Sequence, residues 1–335
     1  MRITPFMVFD QLTNSIQNNL NDYAALNERV ATTKKINKPS DDVFGLSRAM
    51  DYNLDITANT QYNRNIDEAT SQLTYANTVL GTISSTLQSV QQDAISGENG
   101  SLDPTTQSTL AQDTTQLKNQ LLSLGNSQFS GRYIFSGFRT NQSAFNTTTY
   151  AYQGDTGSIN VQIDKGTTLP VNVPGSTAFS YTLKAPEVVQ LGGGQYVHYT
   201  QGAGNTINVE IRDTNDTTVL DNFSFSNVIQ MTDTLSSAIS GGNALRVQAL
   251  IKPFNDALQQ VTNVQANVGA WMNRLTDQKS ILNDSTTNLQ DSLSNVMDDD
   301  TAETAAELKQ SETVLSALRE SSSQVLSNSL LDFLK

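Results

Sequence analysis

Residues 66–94 read IDEATSQLTYANTVLGTISSTLQSVQQDA. Ile66, Leu73, Leu80, Leu87 and Ala94 stand seven residues apart, and Ala69, Ala76, Ile83 and Val90 fill the companion positions at the same spacing. On a helix of 3.6 residues per turn, two interleaved sevenfold series draw one narrow apolar seam along one side. The stretch is therefore predicted to be a long helix packed against other helices.

The same signal recurs outward in both directions. Near the start, Pro5 suits a first helical turn, and Phe9, Ile16, Tyr23 and Val30 repeat every seven residues with Leu12 and Leu26 beside them. After the Gly- and Pro-marked loop SGENGSLDP, Leu110, Leu117, Leu121 and Leu124 predict a shorter third stripe. In the last third, Phe254, Val261, Val268, Leu275, Leu282, Leu289 and Val296 again stand seven apart. No proline interrupts that run after Pro253, so a helix of roughly 65 Å is expected from there on. Its companion seam, with Ala257, Leu258, Val264, Trp271 and Met272, is broad, and Trp271 and Met272 read as core filler between helices. Beyond SNVMDDDTAE, a last helix carries Leu308, Leu315, Leu318, Val325, Leu326 and Leu330, with Ser311, Ser322 and Ser329 among them.

Between the helical halves, from about Tyr150 to Asn227, the period changes from seven to two. SINVQI, LPVNV, TINVEIRD and VLDNFSFSN alternate apolar and polar residues between turn-forming clusters, which predicts a small β-domain. NVIQMTDTLSSAISGGN then reads as a short helix ending at a Gly pair. The expected fold class is mainly α with an inserted β-domain. Discontinuous N- and C-terminal halves would join in an elongated antiparallel helical bundle or coiled coil. The expected domains are 1–36 with 301–335, 37–146 with 241–300, and the insertion 147–240.

Composition narrows the chemistry. The 335 residues are 37% apolar and only 16% charged, which suits narrow seams better than thick cores. Asp and Glu outnumber Lys and Arg by 33 to 20 without a basic run, so no footprint for nucleic acid is present. Cysteine is absent, and His198 is the one histidine, which removes thiolate chemistry and two-histidine metal sites. An enzyme would have to be centred on His198, in GGGQYVHYTQGAG; a loop or strand position without a catalytic task is the expectation. No cofactor or metal is expected. The start, MRITPFMVFDQLTNSIQ, lacks the basic-then-apolar pattern of a cleaved signal, and no stretch approaches the length of a membrane span.

The candidate sites read as structural punctuation. In KPSDDVFGLS, Asp41 and Asp42 are adjacent and point about 100° apart on a helix, so they cannot converge on one ligand. Pro39 disfavours helix at Lys38, Ser40 can cap, and both carboxylates suit a positive helix terminus. In DDDTAE, Asp300 with Glu303 resembles a capping box at a joint between helices. RDTNDTTV imitates a calcium loop, but Thr218 occupies the glycine position, so a hairpin turn is expected. LGGGQ lacks both the spacing and the following helix of a phosphate loop.

The two ends of the chain resemble the flagellin superfamily. The resemblance is carried by LNERVATTKKINKPSDDVFGLSRAM near the start and NLQDSLSNVMDDDTAETAAELKQSETVLSALRESSSQVLSNSLLDFL at the end. MRITPFMVF and SQFSGRYIFSGFRT are similar to the hook-filament junction branch of that superfamily, with a flagellin-type filament subunit as the alternative and an adhesin using the β-domain as a third reading. The resemblance implies no enzymatic activity. It implies a structural flagellar part, exported by a type III apparatus with an export chaperone and resident outside the cell without membrane insertion. Its implied partners are further copies of itself in a ring, hook-associated protein 1 on the hook side and flagellin on the filament side. On this view Phe9, Leu12, Ile16, Tyr23 and Val30, with Leu315, Leu318, Val325, Leu330 and Phe333, are the expected assembly interface. Ser321, Gln324 and Asn328, spaced by three and four residues, would line an axial channel.

Overall fold

The computed structural model describes residues 5–98, 102–180, 183 and 185–333, and within these the side chains of 7–324. In chain order the elements are α1 (Pro5–Thr32), α2 (Val43–Glu98), α3 (Pro104–Gly125), β1 (Gln128–Phe129), β2 (Arg132–Tyr133), β3 (Asn160–Asp164) and β4 (Thr167–Pro170). There follow α4 (Gly175–Ala178), β5 (Glu187–Gln190), β6 (Tyr196–Gln201), β7 (Ile207–Arg212), β8 (Val219–Phe225), α5 (Val228–Ser240), α6 (Ala244–Met297) and α7 (Thr301–Phe333). The chain divides into two compact units, Met1–Gln61 with Ile281–Lys335, and Tyr62–Ser280.

In the second unit, every seam position between Ile66 and Ala94 is buried. Phe254, Ala257, Val261, Val264, Val268 and Leu275 of α6 are buried likewise. The two helices run antiparallel. Gln91 donates to Asn255 Oδ1 at 2.6 Å, Gly81 lies against Gln265, and Asp67 pairs with Lys279, so each step forward along α2 is a step backward along α6. Trp271 and Met272 are only half-buried, short of the core position expected of them. The α3 stripe is also displaced. Leu121 is buried, but the covered face is Ala111, Thr114, Lys118, Leu121 and Gly125, while Leu110, Leu117 and Leu124 flank it half-buried.

The helix α6 begins nine residues earlier than Pro253, which lies inside it. Proline has no N–H to give the carbonyl four residues back, here that of Ala249. Tyr199, 2% exposed on β6, donates its hydroxyl to that carbonyl at 2.7 Å and supplies the missing bond. The helix therefore continues.

The β elements form three antiparallel sheets: β1–β2, β3–β4, and the four-stranded meander β5-β6-β7-β8. The expected strands at SINVQI, TINVEIRD and VLDNFSFSN are present, LPVNV is strand only up to Pro170, and β5 and β6 are further strands outside the expected stretches. One face of the meander, with Val197, Tyr199, Ile207, Val209, Ile211 and Phe225, is buried. Its last strand is tied to the start of α6, where Arg246 Nε donates to Asp221 Oδ2 at 2.8 Å and Nη2 reaches Oδ1. That guanidinium holds the Asp221 carboxyl below the usual carboxylate range. Non-helical structure starts earlier than Tyr150, because Phe135, Phe145 and Phe179 stack into a small aromatic core with centroids 4.8 and 5.3 Å apart. Gly137, with φ +68°, lies directly against Asp155, where a Cβ would collide with both carboxylate and backbone.

Candidate assembly surface and its joint

In the first unit, α1 packs on α7. Leu315 is 7% exposed and is the one fully buried apolar side chain described on α7. Leu12, Ile16, Tyr23, Leu26, Val30 and Leu318 are half-buried, and Phe9 is 39% exposed beside Met7 at 60% and Val8 at 38%. The polar residues that interrupt the two stripes face one another: Ser311 Oγ, 8% exposed, bonds Asn19 Oδ1 at 3.4 Å. A seam with so little closed apolar area, and with apolar residues left outside it, resembles half of an interface. Ser321 and Gln324 are exposed on α7; Val325, Leu330, Phe333 and Asn328 lie outside the described side chains.

The joints at the ends of this pair are tied by backbone and charge. Thr33 closes α1 in the left-handed conformation at φ 59°. Lys34 then bridges Asp298, Lys35 N donates to Met297 O at 2.7 Å, and Asp299 N donates to Thr33 O at 3.1 Å. Arg29 clasps Asp299 with two bonds, Nη2 to Oδ1 at 2.6 Å and Nε to Oδ2 at 3.0 Å. Thr304 Oγ1 adds a bond to Asp299 Oδ2 at 2.6 Å. The Arg29 hydrogen bonds hold the Asp299 carboxyl below the usual range, and those bonds raise the Arg29 pKa in turn. No spacing in the sequence signals this pair; it links residues 270 positions apart.

The opening aspartates punctuate the joint. Asp41 Oδ2 accepts from the backbone N–H groups of Asn37 at 2.9 Å and Lys38 at 2.8 Å, closing the turn, and these bonds hold its carboxyl low. Asp42 Oδ1 accepts from Gly45 N at 2.9 Å while its carbonyl accepts from Leu46 N. The cap of α2 is thus Asp42 rather than Ser40, because two residues intervene between Ser40 and the first helical turn. Gly45 packs closely beside it: a Cβ there would lie 2.4 Å from Asp42 Oδ2 and 2.6 Å from Ile36 Cδ1, so one of those side chains would have to shift. Asp300 caps α7, accepting from Ala302 N at 3.0 Å and Glu303 N at 3.2 Å.

Val43, Met50 and Leu54, with Phe44 beside them, are 59–83% exposed on the side of α2 opposite the buried Gly45, Ala49 and Asn59. Their spacing of seven and four was the available signal, masked by Ser47 and Asp51 between them.

The alternative chemistry was centred on His198. On β6 its Nε2 lies 2.6 Å from Asp216 Oδ1, at a left-handed position of the β7–β8 turn, and Arg212 stands 3.8 Å from the same carboxylate. Among the described hydrogen bonds the ring's partner is the Asp216 carboxylate, not a hydroxyl. Asp213 closes that turn by accepting from Thr217 N and Thr218 N, as expected of a hairpin. The LGGGQ segment is likewise a turn, closed by Gly194 N on Leu191 O. Among the described residues there is no cluster of three metal-ligating side chains and no helix long and apolar enough to cross a membrane.

Sequence-distant helical ends that pack on each other, with sheet-bearing structure inserted between them, define a flagellin-type protein. Comparison with known proteins agrees. The family model for the bacterial flagellin N-terminal helical region matches residues 4–140, and that for the C-terminal helical region matches 251–334. The chain belongs to the flagellin superfamily. It is 30% identical over 181 residues to flagellar hook-associated protein 3 of Salmonella typhimurium, and 29% identical over 180 residues to that of Escherichia coli. These matches cover 54% and 53% of this chain and 57% of each relative, so the chain spans little more than half the length of the curated relatives it matches. In fold it is similar to a flagellar hook-associated protein of Vibrio parahaemolyticus, with TM-score 0.60 and 19% identity over 77% of this chain and 100% of that one. Hook-associated protein 3 of Legionella pneumophila gives 0.58 and 18% over 73% and 98%.

Proposed function

We propose that the chain is a structural component of the bacterial flagellum, an adaptor without enzymatic activity that connects the hook-associated protein layer to the flagellin filament. Copies assemble into a ring through α1 and α7. Hook-associated protein 1 lies on the hook side and flagellin on the filament side. In this reading 1–36 with 301–335 form the axial layer, 37–146 with 241–300 the rod, and 147–240 the outer domain. The protein reaches its extracellular place through the type III export channel with an export chaperone.

The observation that carries the reading is the incomplete seam between α1 and α7. Half-buried Leu12, Ile16, Tyr23 and Val30 and exposed Phe9 leave apolar surface that a single copy does not cover. Assembly would cover it.

The test is Ile16→Asp, which places a carboxylate where a neighbouring copy would pack and costs several kcal/mol per contact, about 2–5. Cells making only this variant are expected to export it yet fail to retain it, and to release unpolymerised flagellin into the medium. Normal filaments on such cells would overturn the proposal. A filament-subunit role predicts a different result on deleting the gene: loss of filament protein altogether, rather than release of a separate flagellin.

A further inference from the structure

Asp93 is a carboxyl group for which the assembly function has no use. It lies on α2, 8% exposed, next to Ala94 of the apolar seam, and faces Thr114 of α3, which is fully buried. Thr114 Oγ1 is 3.0 Å from Asp93 Oδ2 and 2.9 Å from the carbonyl oxygen of Leu110.

Burial and the surroundings of this contact decide the state of the carboxyl. A threonine hydroxyl has one hydrogen to donate. An ionised Asp93 could take that hydrogen, since Leu110 O already accepts the Thr114 backbone N–H within α3, but a buried carboxylate with no cation beside it bears the full cost of leaving water. If Asp93 holds a proton, it donates to Thr114 Oγ1, Thr114 donates to Leu110 O, and the chain of bonds closes. The surrounding charges favour the same answer. On α3, Asp113 is a neighbouring anion, and Lys118 is engaged by Asp233 of α5 at 2.7 Å. On α6, which meets α2 at Gln91 and Asn255, Lys252 is paired with Asp256 at 2.6 Å. Among the described residues no cation forms an ion pair with Asp93.

We propose that Asp93 is neutral in the folded protein, donating its proton to Thr114, and that this contact is a pH-sensitive latch between α2 and α3 which loosens when Asp93 ionises. Burial pushes the carboxyl up to about 6, from an ordinary value of 3.8; a Thr114 hydroxyl turned to donate to the ionised carboxylate opposes that rise, and the Asp113 charge adds to it. A folded-state value raised above the unfolded one means stability that is complete below about pH 4 and lost as pH rises through about 6. The carboxylates held low by Arg29 and Arg246 act in the opposite direction, and only below about pH 4, so the windows separate.

The experiment uses the full chain, with Trp271 fluorescence reporting denaturant unfolding of the second unit between pH 4 and 7. The folding equilibrium constant of the wild-type protein is expected to fall about 100-fold over that range, as two pKa units imply. Asp93→Asn, whose amide can donate to Thr114 at any pH, is expected to remove that fall. Parallel pH profiles for the two proteins would overturn the latch. Independently of whether the variant folds, the Asp93 carboxyl carbon of the wild-type protein, followed by NMR, is expected to report a protonated group at pH 5; an ionised one would overturn the proposal.

Discussion

The Tyr199 hydroxyl donates at 2.7 Å to the carbonyl of Ala249, the acceptor that Pro253 leaves without its helical N–H. A side chain of the inserted sheet thereby completes the backbone of a helix, and this bond joins sheet to helix in the second unit alongside the Arg246–Asp221 pair. The Tyr199→Phe variant keeps the ring in its buried place and orphans the carbonyl. The expected cost is about 1–3 kcal/mol, read as a lower denaturation midpoint with unchanged slope. The burial that isolates this bond also raises the hydroxyl well above the ordinary tyrosine range, so no alkaline loss of the contact is expected below pH 10.

Arg29 and Asp299 form the corresponding tie in the first unit. Asp299→Asn removes the charge from a doubly bonded contact whose carboxylate side chain is 6% exposed, and is expected to cost about 1.5–3 kcal/mol. Because the carboxyl is held low, the contribution is present above about pH 4 and is lost as pH falls through the depressed value. Hydrogen exchange across α1 and α7 checks both statements. Exchange in the variant at pH 7 should approach that of the wild type at low pH.

The polar positions Ser321 and Asn328 of α7 are tested by function. Ser321→Leu with Asn328→Leu leaves Leu315 and its seam untouched, and the double variant is expected to assemble. If these positions line a channel, added apolar surface slows the passage of later subunits, and filament length against time falls below wild type. Wild-type growth with normal incorporation would instead make Ser321 and Gln324 an ordinary solvated face.

Helices are local objects, and the sequence marks them well. The sevenfold series from Ile66 to Ala94 and from Phe254 to Leu275 identify buried seams because a helix fixes which side each residue takes, whatever it meets. Asp300 caps α7 for the same reason: the groups involved lie within three residues of one another. Even there the cap of α2 moved from Ser40 to Asp42, since the first helical turn starts only where the turn held by Asp41 ends.

The sequence by itself therefore determined the helical halves and the inserted strands β3, β4, β7 and β8, which follow from period and spacing. Only the tertiary structure decided whether Pro253 ends a helix, because the answer depends on a hydroxyl 50 residues away. It alone paired Arg29 with Asp299, placed Thr114 against Asp93, left Phe44 and Leu54 uncovered, and turned Trp271 half outward. Each of these depends on which surfaces meet. A repeating pattern fixes the side a residue faces, but the bond or burial it gains there is a property of the partner, and partners far apart in the chain leave no mark in local spacing.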